Sequence, residues 1–245
     1  MRNCWIESNF SAVKWFLSSL IDLLYPPICI CCENRMAEEE VICESCLSEL
    51  EPTNMGNWMT NVTNHEYLDC TYSGWYFDEI FQQMIHEMKY LESRKVAQIF
   101  GHNLGILLRE ELSGLGIDAV IPVPLHSARL RERGFNQSAL LGRAISEELA
   151  IVCSENILFR KRNTVSQTKL GAEERKQNMS SAFFAKDIGG FNRFLLIDDI
   201  LTTGSTLSAC AEALKSKGAD FVGAVTAGTP LPSIALIKEI QNAEN

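Results

Sequence analysis

The chain has 245 residues, 46% of them hydrophobic and 22% charged, enough for one core of good size carrying a small module. Its 15 glycines and 7 prolines are too few for a collagen-like or low-complexity chain. A formal net charge of −9 argues against a protein that coats nucleic acid through its overall charge, since phosphate binding rests on Lys and Arg; a local basic patch is still open.

The first apolar stretch, Phe10 to Tyr25, carries Lys14, Asp22 and several serines, and it falls short of the roughly 20 apolar residues of a membrane span. Neither a basic n-region beyond Arg2 nor a small-residue cleavage site before Pro26 marks it as a signal peptide. Val13, Phe16, Leu17, Leu20, Leu23 and Leu24 recur at helical spacing, so 1–25 is expected to hold an amphipathic helix that packs on protein, with attachment to a membrane surface as the other reading. No stable membrane insertion is expected, and the compartment implied is the cytoplasm.

Nine cysteines include Cys29, Cys32, Cys43 and Cys46 in a C-x2-C-x10-C-x2-C pattern. With no export signal, two short-spaced pairs point to metal rather than to a disulfide framework. Each C-x2-C turn presents two thiolates, and together they complete the tetrahedral sulfur shell that Zn2+ takes at about 2.3 Å. With all four positions filled by protein, the metal would be structural. A redox dithiol and an iron–sulfur cluster are the alternatives, and the adjacent Cys31 makes ligand exchange conceivable. The surroundings are acidic (Glu33, Glu38, Glu39, Glu40, Glu44, Glu49 and Glu51 against Arg35), which disfavours a DNA-reading finger.

A polar linker over Pro52 to Asn64 leads into alternating helices and strands. Asp78 to Lys89 and Lys95 to Leu108 have helical apolar spacing. Asp118 to Pro124 reads as a buried strand that Pro122 and Pro124 end, and Gln137 to Leu149 as a helix. Arg193 to Asp198 is a strand, Ser205 to Lys217 a helix, and Phe221 to Ala227 a strand. Such alternation predicts an α/β fold with a parallel, doubly wound sheet. The expected division is a helix over 1–25, a four-cysteine module over 26–52 and a larger domain over 65–245, with a helical hood at 65–112 and a core at 113–230.

The most informative stretch runs from Phe194 to Thr206. An apolar strand ends in Asp198 and Asp199, and a Thr/Gly/Ser loop then opens a helix. Ligands of open α/β sheets bind beyond the carboxyl ends of the strands. Thr202, Thr203, Gly204, Ser205 and Thr206 would offer N–H groups and hydroxyls to a phosphate at a helix N-terminus. Carboxylates are poor phosphate ligands but good acceptors for sugar hydroxyls, so the combination describes a ribose 5-phosphate. The bland alternative is a strand–turn–helix in which an aspartate caps nearby N–H groups.

These 13 residues resemble the phosphoribosyl pyrophosphate signature of type I phosphoribosyltransferases. More narrowly, the chain resembles the ComF/GntX family, through the four cysteines, Ile121-Pro-Val-Pro-Leu, Arg131-Glu-Arg-Gly-Phe-Asn-Gln, and the block from Arg162 through Lys169, Arg175 and Asn178 to Phe183. The resemblance implies a phosphoribosyltransferase-like sheet with a zinc-ribbon-like module. It places a pyrophosphate loop at Val123 to Ser127 and a closing lid at Thr164 to Asn178, with Arg129, Arg133, Lys169 and Arg175 toward the pyrophosphate. It further implies Asp198 and Asp199 on the ribose hydroxyls, Mg2+ bridging pyrophosphate and ribose oxygens, and attack of a nitrogen acceptor on C1. Basic residues outnumber acidic ones around the lid segment, which suits a cover for a highly charged ligand. Lys89-Tyr90 is followed by Leu91-Glu92-Ser93 where relatives commonly have a Gly-Asp turn, so the acceptor is not specified. The competing reading, also implied by the family, is a non-enzymatic competence factor that binds single-stranded DNA and meets helicase or recombination proteins.

Overall fold

The computed structural model describes residues 26–36, 40–53, 65–90, 94–161 and 182–231. The expected N-terminal helix and the lid residues Lys169 and Arg175 lie outside them. The chain divides into two compact units, 1–49 and 50–245.

In the first unit, Ile28 and Arg35 form an isolated antiparallel bridge around the first C-x2-C turn. The second turn runs into a short helix, α1 (Glu44–Ser48), whose N-cap is Cys43. Ile42 and Cys46 are buried there.

The second unit is built on a five-stranded, wholly parallel sheet in the order β1-β7-β6-β2-β3. Its strands are β1 (Cys70–Tyr76), β2 (Ala119–Pro122), β3 (Val152–Cys153), β6 (Arg193–Ile200) and β7 (Phe221–Thr229). Helices α2 (Glu79–Tyr90) and α3 (Arg94–Ser113) follow β1, while α4 (Ser127–Arg133) and α5 (Gln137–Leu149) connect β2 to β3. A separate antiparallel hairpin pairs β4 (Leu158–Arg160) with β5 (Phe183–Ala185), and α6 (Ser205–Lys215) joins β6 to β7. The α/β parallel architecture with a small cysteine module is thus the one expected. Among the described residues, no helix is long and apolar enough to cross a membrane.

β6 is central and covered on both faces, so it reads as a continuous apolar run, Phe194 to Ile197, with every residue fully buried. Successive side chains alternate between faces. Phe194 and Leu196 share one core with Leu207, Cys210, Ala211 and Leu214 of α6 and with Leu158, Phe183 and Ala185 of the hairpin. On the other side, Phe100 of α3 meets Trp75 and Phe81 in tilted ring contacts. α3 and α5 approach closely because Gly101 faces Ala144: a Cβ there would lie 2.4 Å from the alanine methyl. The strand starts are pinned by Asp118, whose carboxylate accepts the N–H groups of Asn192 and Arg193, each at 2.8 Å. Those two bonds hold its pKa below the ordinary carboxylate value.

The topology itself locates a crevice. From β2 the chain moves through α5 outward to β3; from its neighbour β6 it moves through α6 the opposite way to β7. Loops that leave adjacent parallel strands in opposite directions open a gap at their carboxyl ends, where ligands of such sheets bind.

Candidate functional site

The crevice is lined by the loops that leave β2 and β6. β2 hands over to Val123, whose N–H donates to the Ile197 carbonyl at 2.9 Å, one residue before the carboxylate pair. The loop then passes His126, the N-cap of α4, and reaches Gly134, the left-handed C-cap at φ 76°. Gly134 thus serves the backbone, in a conformation that glycine adopts without steric cost. Arg129 is exposed on α4 and Arg133 is half-buried. Asn136 then caps α5 and donates from Nδ2 to the Val123 carbonyl at 3.0 Å, which ties both ends of this excursion together.

β6 runs two residues further than the expected Arg193 to Asp198, so Asp199 as well as Asp198 lies within its carboxyl end. Leu201 to Gly204 form the turn, with Gly204 in the left-handed region at φ 75° as the N-cap of α6. Thr202 and Thr203 are exposed, and Ser205 and Thr206 are half-buried. Thr203 Oγ1 lies 2.9 Å from Ser205 Oγ and accepts the Ser205 N–H. Hydroxyls and the first N–H groups of an 11-residue helix thus share one strand-end loop, and α6 supplies its positive dipole end beneath them.

The carboxylates are tied down by groups from two other elements. Ser138 Oγ of α5 donates to Asp198 Oδ1 at 2.9 Å, and the Asp199 N–H donates to the same oxygen at 3.0 Å. Gln137 Nε2 donates to Asp199 Oδ2 at 3.3 Å, and Lys89 Nζ, from the end of α2, lies 2.7 Å from that oxygen. Burial first, and the Asp199 charge second, push the Asp198 carboxyl up to about 7. The Asp199 N–H, the Ser138 hydroxyl and Lys89 act in the opposite sense. Arg160, at the end of β4, feels both Arg129 and Asp198, and its pKa is lowered mainly by burial.

Asp198, Asp199 and the 202–206 loop are therefore brought together, with α4 and its arginines on the neighbouring strand-end excursion. Sequence reasoning assigned no role to Lys89, Gln137 or Ser138. Lys89 was visible as the end of a helical pattern and as the start of the Lys89-Tyr90 segment, neither of which pointed to the aspartates. Gln137 closes the Arg131 to Gln137 block and Ser138 follows it, but their partners are about sixty residues further on.

In the cysteine unit, the Sγ atoms of Cys29, Cys32, Cys43 and Cys46 all lie within 4.8 Å of one another. Sulfurs on a tetrahedron of about 2.3 Å arms are roughly 3.8 Å apart, so the cluster fits Zn2+. Burial pushes the Cys29 thiol up, but N–H bonds from Cys32, Cys43 and Cys31 outweigh it and bring it down to about 6, which favours the ligating thiolate.

Comparison with known proteins agrees with this. Residues 20–56 match the family model of a double zinc ribbon domain. Competence protein F of Haemophilus influenzae is 39% identical over 108 residues, covering 43% of this chain and 47% of the relative. DNA utilization protein YhgH of Escherichia coli K12 is 28% identical over 198 residues, covering 80% of this chain and 81% of the relative. The chain is a homologue of these competence and DNA-utilization proteins. Its match spans about half the length of Competence protein F. Among solved structures, the glutamine phosphoribosylpyrophosphate amidotransferase of Bacillus subtilis is similar at 22% identity and a TM-score of 0.38, covering 57% of this chain and 30% of that one. The zinc ribbon, the kinship and the parallel sheet all agree with the resemblance read from the sequence.

Proposed function

We propose that the crevice beyond β2 and β6 binds phosphoribosyl pyrophosphate, with Asp198 and Asp199 on the ribose hydroxyls and Thr202 to Thr206 around the 5-phosphate. The observation that carries this reading is the adjacency, at one topological switch point, of an anion-accepting helix N-terminus and a pair of scaffold-held carboxylates. One end suits a phosphate and the other suits hydroxyls. Arg129 and Arg133 on α4, with Lys169 and Arg175, would meet the pyrophosphate. Mg2+ bound with the ligand would offset the charge of the leaving pyrophosphate. If the site turns over, a nitrogen acceptor attacks C1 and pyrophosphate departs. The chain's share is to hold the sugar by its hydroxyls and phosphate while the pyrophosphate is drawn away. No covalent nucleophile is required.

The deciding experiment is calorimetric titration of the zinc-loaded chain with phosphoribosyl pyrophosphate and Mg2+, together with a pyrophosphate-release assay using a panel of bases. Micromolar binding that D198N with D199N abolishes supports the reading, and release makes the protein a transferase. No binding by the unaltered chain overturns it.

A second reading draws on the names of the relatives and on the β4–β5 hairpin. Phe159 and Phe184 stack with centroids 5.5 Å apart, and Lys186 Nζ lies 4.1 Å from the Phe159 centroid. Aromatic and basic groups so combined suit single-stranded DNA. Salt-dependent retention on single-stranded DNA, lost in F184A, supports this role; no retention at low salt removes it.

A further inference from the structure

The two carboxylates divide their oxygens in the same way. Asp198 gives Oδ1 to the scaffold, where Ser138 Oγ and the Asp199 N–H bind it. Asp199 gives Oδ2, where Lys89 Nζ and Gln137 Nε2 bind it. No described residue hydrogen-bonds to Asp198 Oδ2 or Asp199 Oδ1. One acceptor is thus left on each of two consecutive carboxylates, the number that a vicinal diol requires.

Charge makes this arrangement depend on Lys89. Two ionised carboxylates side by side oppose each other, and burial worsens the conflict. Lys89 is the only ammonium ion-paired with either aspartate among the described residues. It is delivered from a fixed element: Phe81, Met84, Ile85 and Met88 of α2 are buried, and the Phe81 ring packs over Gly228. The lysine side chain is 19% exposed, so its charge is not screened as a surface pair would be. With one ammonium among two carboxylates, the cluster carries at most one net negative charge. Such a cluster suits neutral hydroxyls better than it suits a bare divalent cation, which prefers several anionic oxygens.

We propose that Lys89 is a positioning residue that holds Asp199 by Oδ2 and converts the aspartate pair into a monoanionic clamp for the vicinal diol of a ribose phosphate. This rests on the reading of the crevice as a ribose-phosphate pocket. The groups that face the pair are Lys89 from α2, Gln137 and Ser138 from α5, Arg160 from β4 and the buried Cys210 thiol from α6. Of these, Lys89 alone is ion-paired with the clamp.

The test uses the full zinc-loaded chain and the variants K89M, K89Q and K89R. Met retains the buried stem, Gln retains polarity without charge, and Arg restores the charge. Ribose 5-phosphate and phosphoribosyl pyrophosphate with Mg2+ are titrated from pH 6 to 9, and the aspartate carboxyls of the ligand-free protein are tracked by 13C NMR. Both neutral variants are expected to bind about tenfold more weakly at pH 7, the loss of one charged hydrogen bond. Their acid limb of binding should lie about one pH unit higher, since the counter-charge that favours the ionised pair is gone. K89R should recover most of both. The carboxyl titration should move upward in K89M and K89Q even without ligand, which a merely packing role for the lysine stem would not cause. Binding by the unaltered chain, with no loss or pH displacement in either neutral variant, overturns the role of Lys89 alone. Failure of the unaltered chain to bind either sugar overturns the pocket reading, and the clamp with it.

Discussion

Ser138 Oγ, at the start of α5, donates to Asp198 Oδ1, at the end of β6, across 2.9 Å and 60 positions of sequence. The bond ties the element after β2 to the carboxylate pair on its neighbour strand. It also favours the ionised form of a carboxyl that burial has raised to about 7. Removing it with S138A should raise that carboxyl further, by up to about one pH unit. The fold should lose only about 1 kcal/mol, the net worth of one hydrogen bond. Binding of ribose 5-phosphate should then weaken several-fold at pH 7 and recover by about pH 8.5. A pH profile identical to that of the unaltered chain would show that the hydroxyl does not tune the pair.

The same raised carboxyl predicts a particular pH dependence of stability. A carboxyl free in the unfolded chain titrates near 3.8, whereas Asp198 titrates near 7 when folded. Between these values the folded state holds the extra proton, so Asp198 makes stability fall as pH rises from about 4 to 7, with no further loss above. Asn at this position cannot ionise. The stability of D198N relative to the unaltered chain should therefore be greater at pH 8 than at pH 5. The difference should reach a few kcal/mol at most, since each tenfold change in an acidity constant is worth about 1.4 kcal/mol. Urea denaturation at the two pH values measures it, and an unchanged or opposite sign would refute the assignment.

Gly228 pairs with both Trp75 and Ile200, and a Cβ built on it would lie 2.2 Å from the Phe81 ring. The ring cannot retreat easily, since it is fully buried and contacts both Phe77 and Phe100. G228A should cost on the order of 1–3 kcal/mol through overpacking. Because Phe81 and Lys89 share α2, the strain should also disturb the Lys89–Asp199 pair. Thermal unfolding and ribose-phosphate titration should both respond. A loss of stability with affinity untouched would separate the packing of α2 from the site.

The central part of this fold was legible because burial leaves a strong mark. β6 is an unbroken apolar run, and α5 spans the Gln137–Leu149 range that periodicity gives. β1 was not legible. Its sequence, Cys-Thr-Tyr-Ser-Gly-Trp-Tyr, buries Thr71 and Ser73, and Ser73 is satisfied by a hydrogen bond with Thr226 that only the paired sheet creates. α4 was missed for the opposite reason: it buries no residue, so it has no apolar period to read. β4 and β5 are three residues each and become a hairpin only by pairing across the intervening segment. In the site, the strand-end aspartates and the Thr/Gly/Ser loop were legible as local chemistry. Lys89, Gln137 and Ser138 were not, because each acquires its meaning from a partner brought near by the sheet.

The cysteine unit should stand or fall with its metal. Its described residues bury few large side chains, chiefly Ile42 with Cys29 and Cys46, too little apolar surface to hold so short a segment without help. Structural zinc in comparable modules contributes roughly 10–16 kcal/mol of apparent binding energy at pH 7, which is then folding energy. The intact chain should bind one Zn2+, and C43S or a strong chelator should release it. Amide-exchange protection should then fall over 26–36 and 40–49, including the Ile30 N–H bonded to Val41. The parallel sheet has its own core and should keep its protection. Retained protection around Cys29 to Cys46 after complete loss of zinc would mean that the thiols are held by something other than the metal.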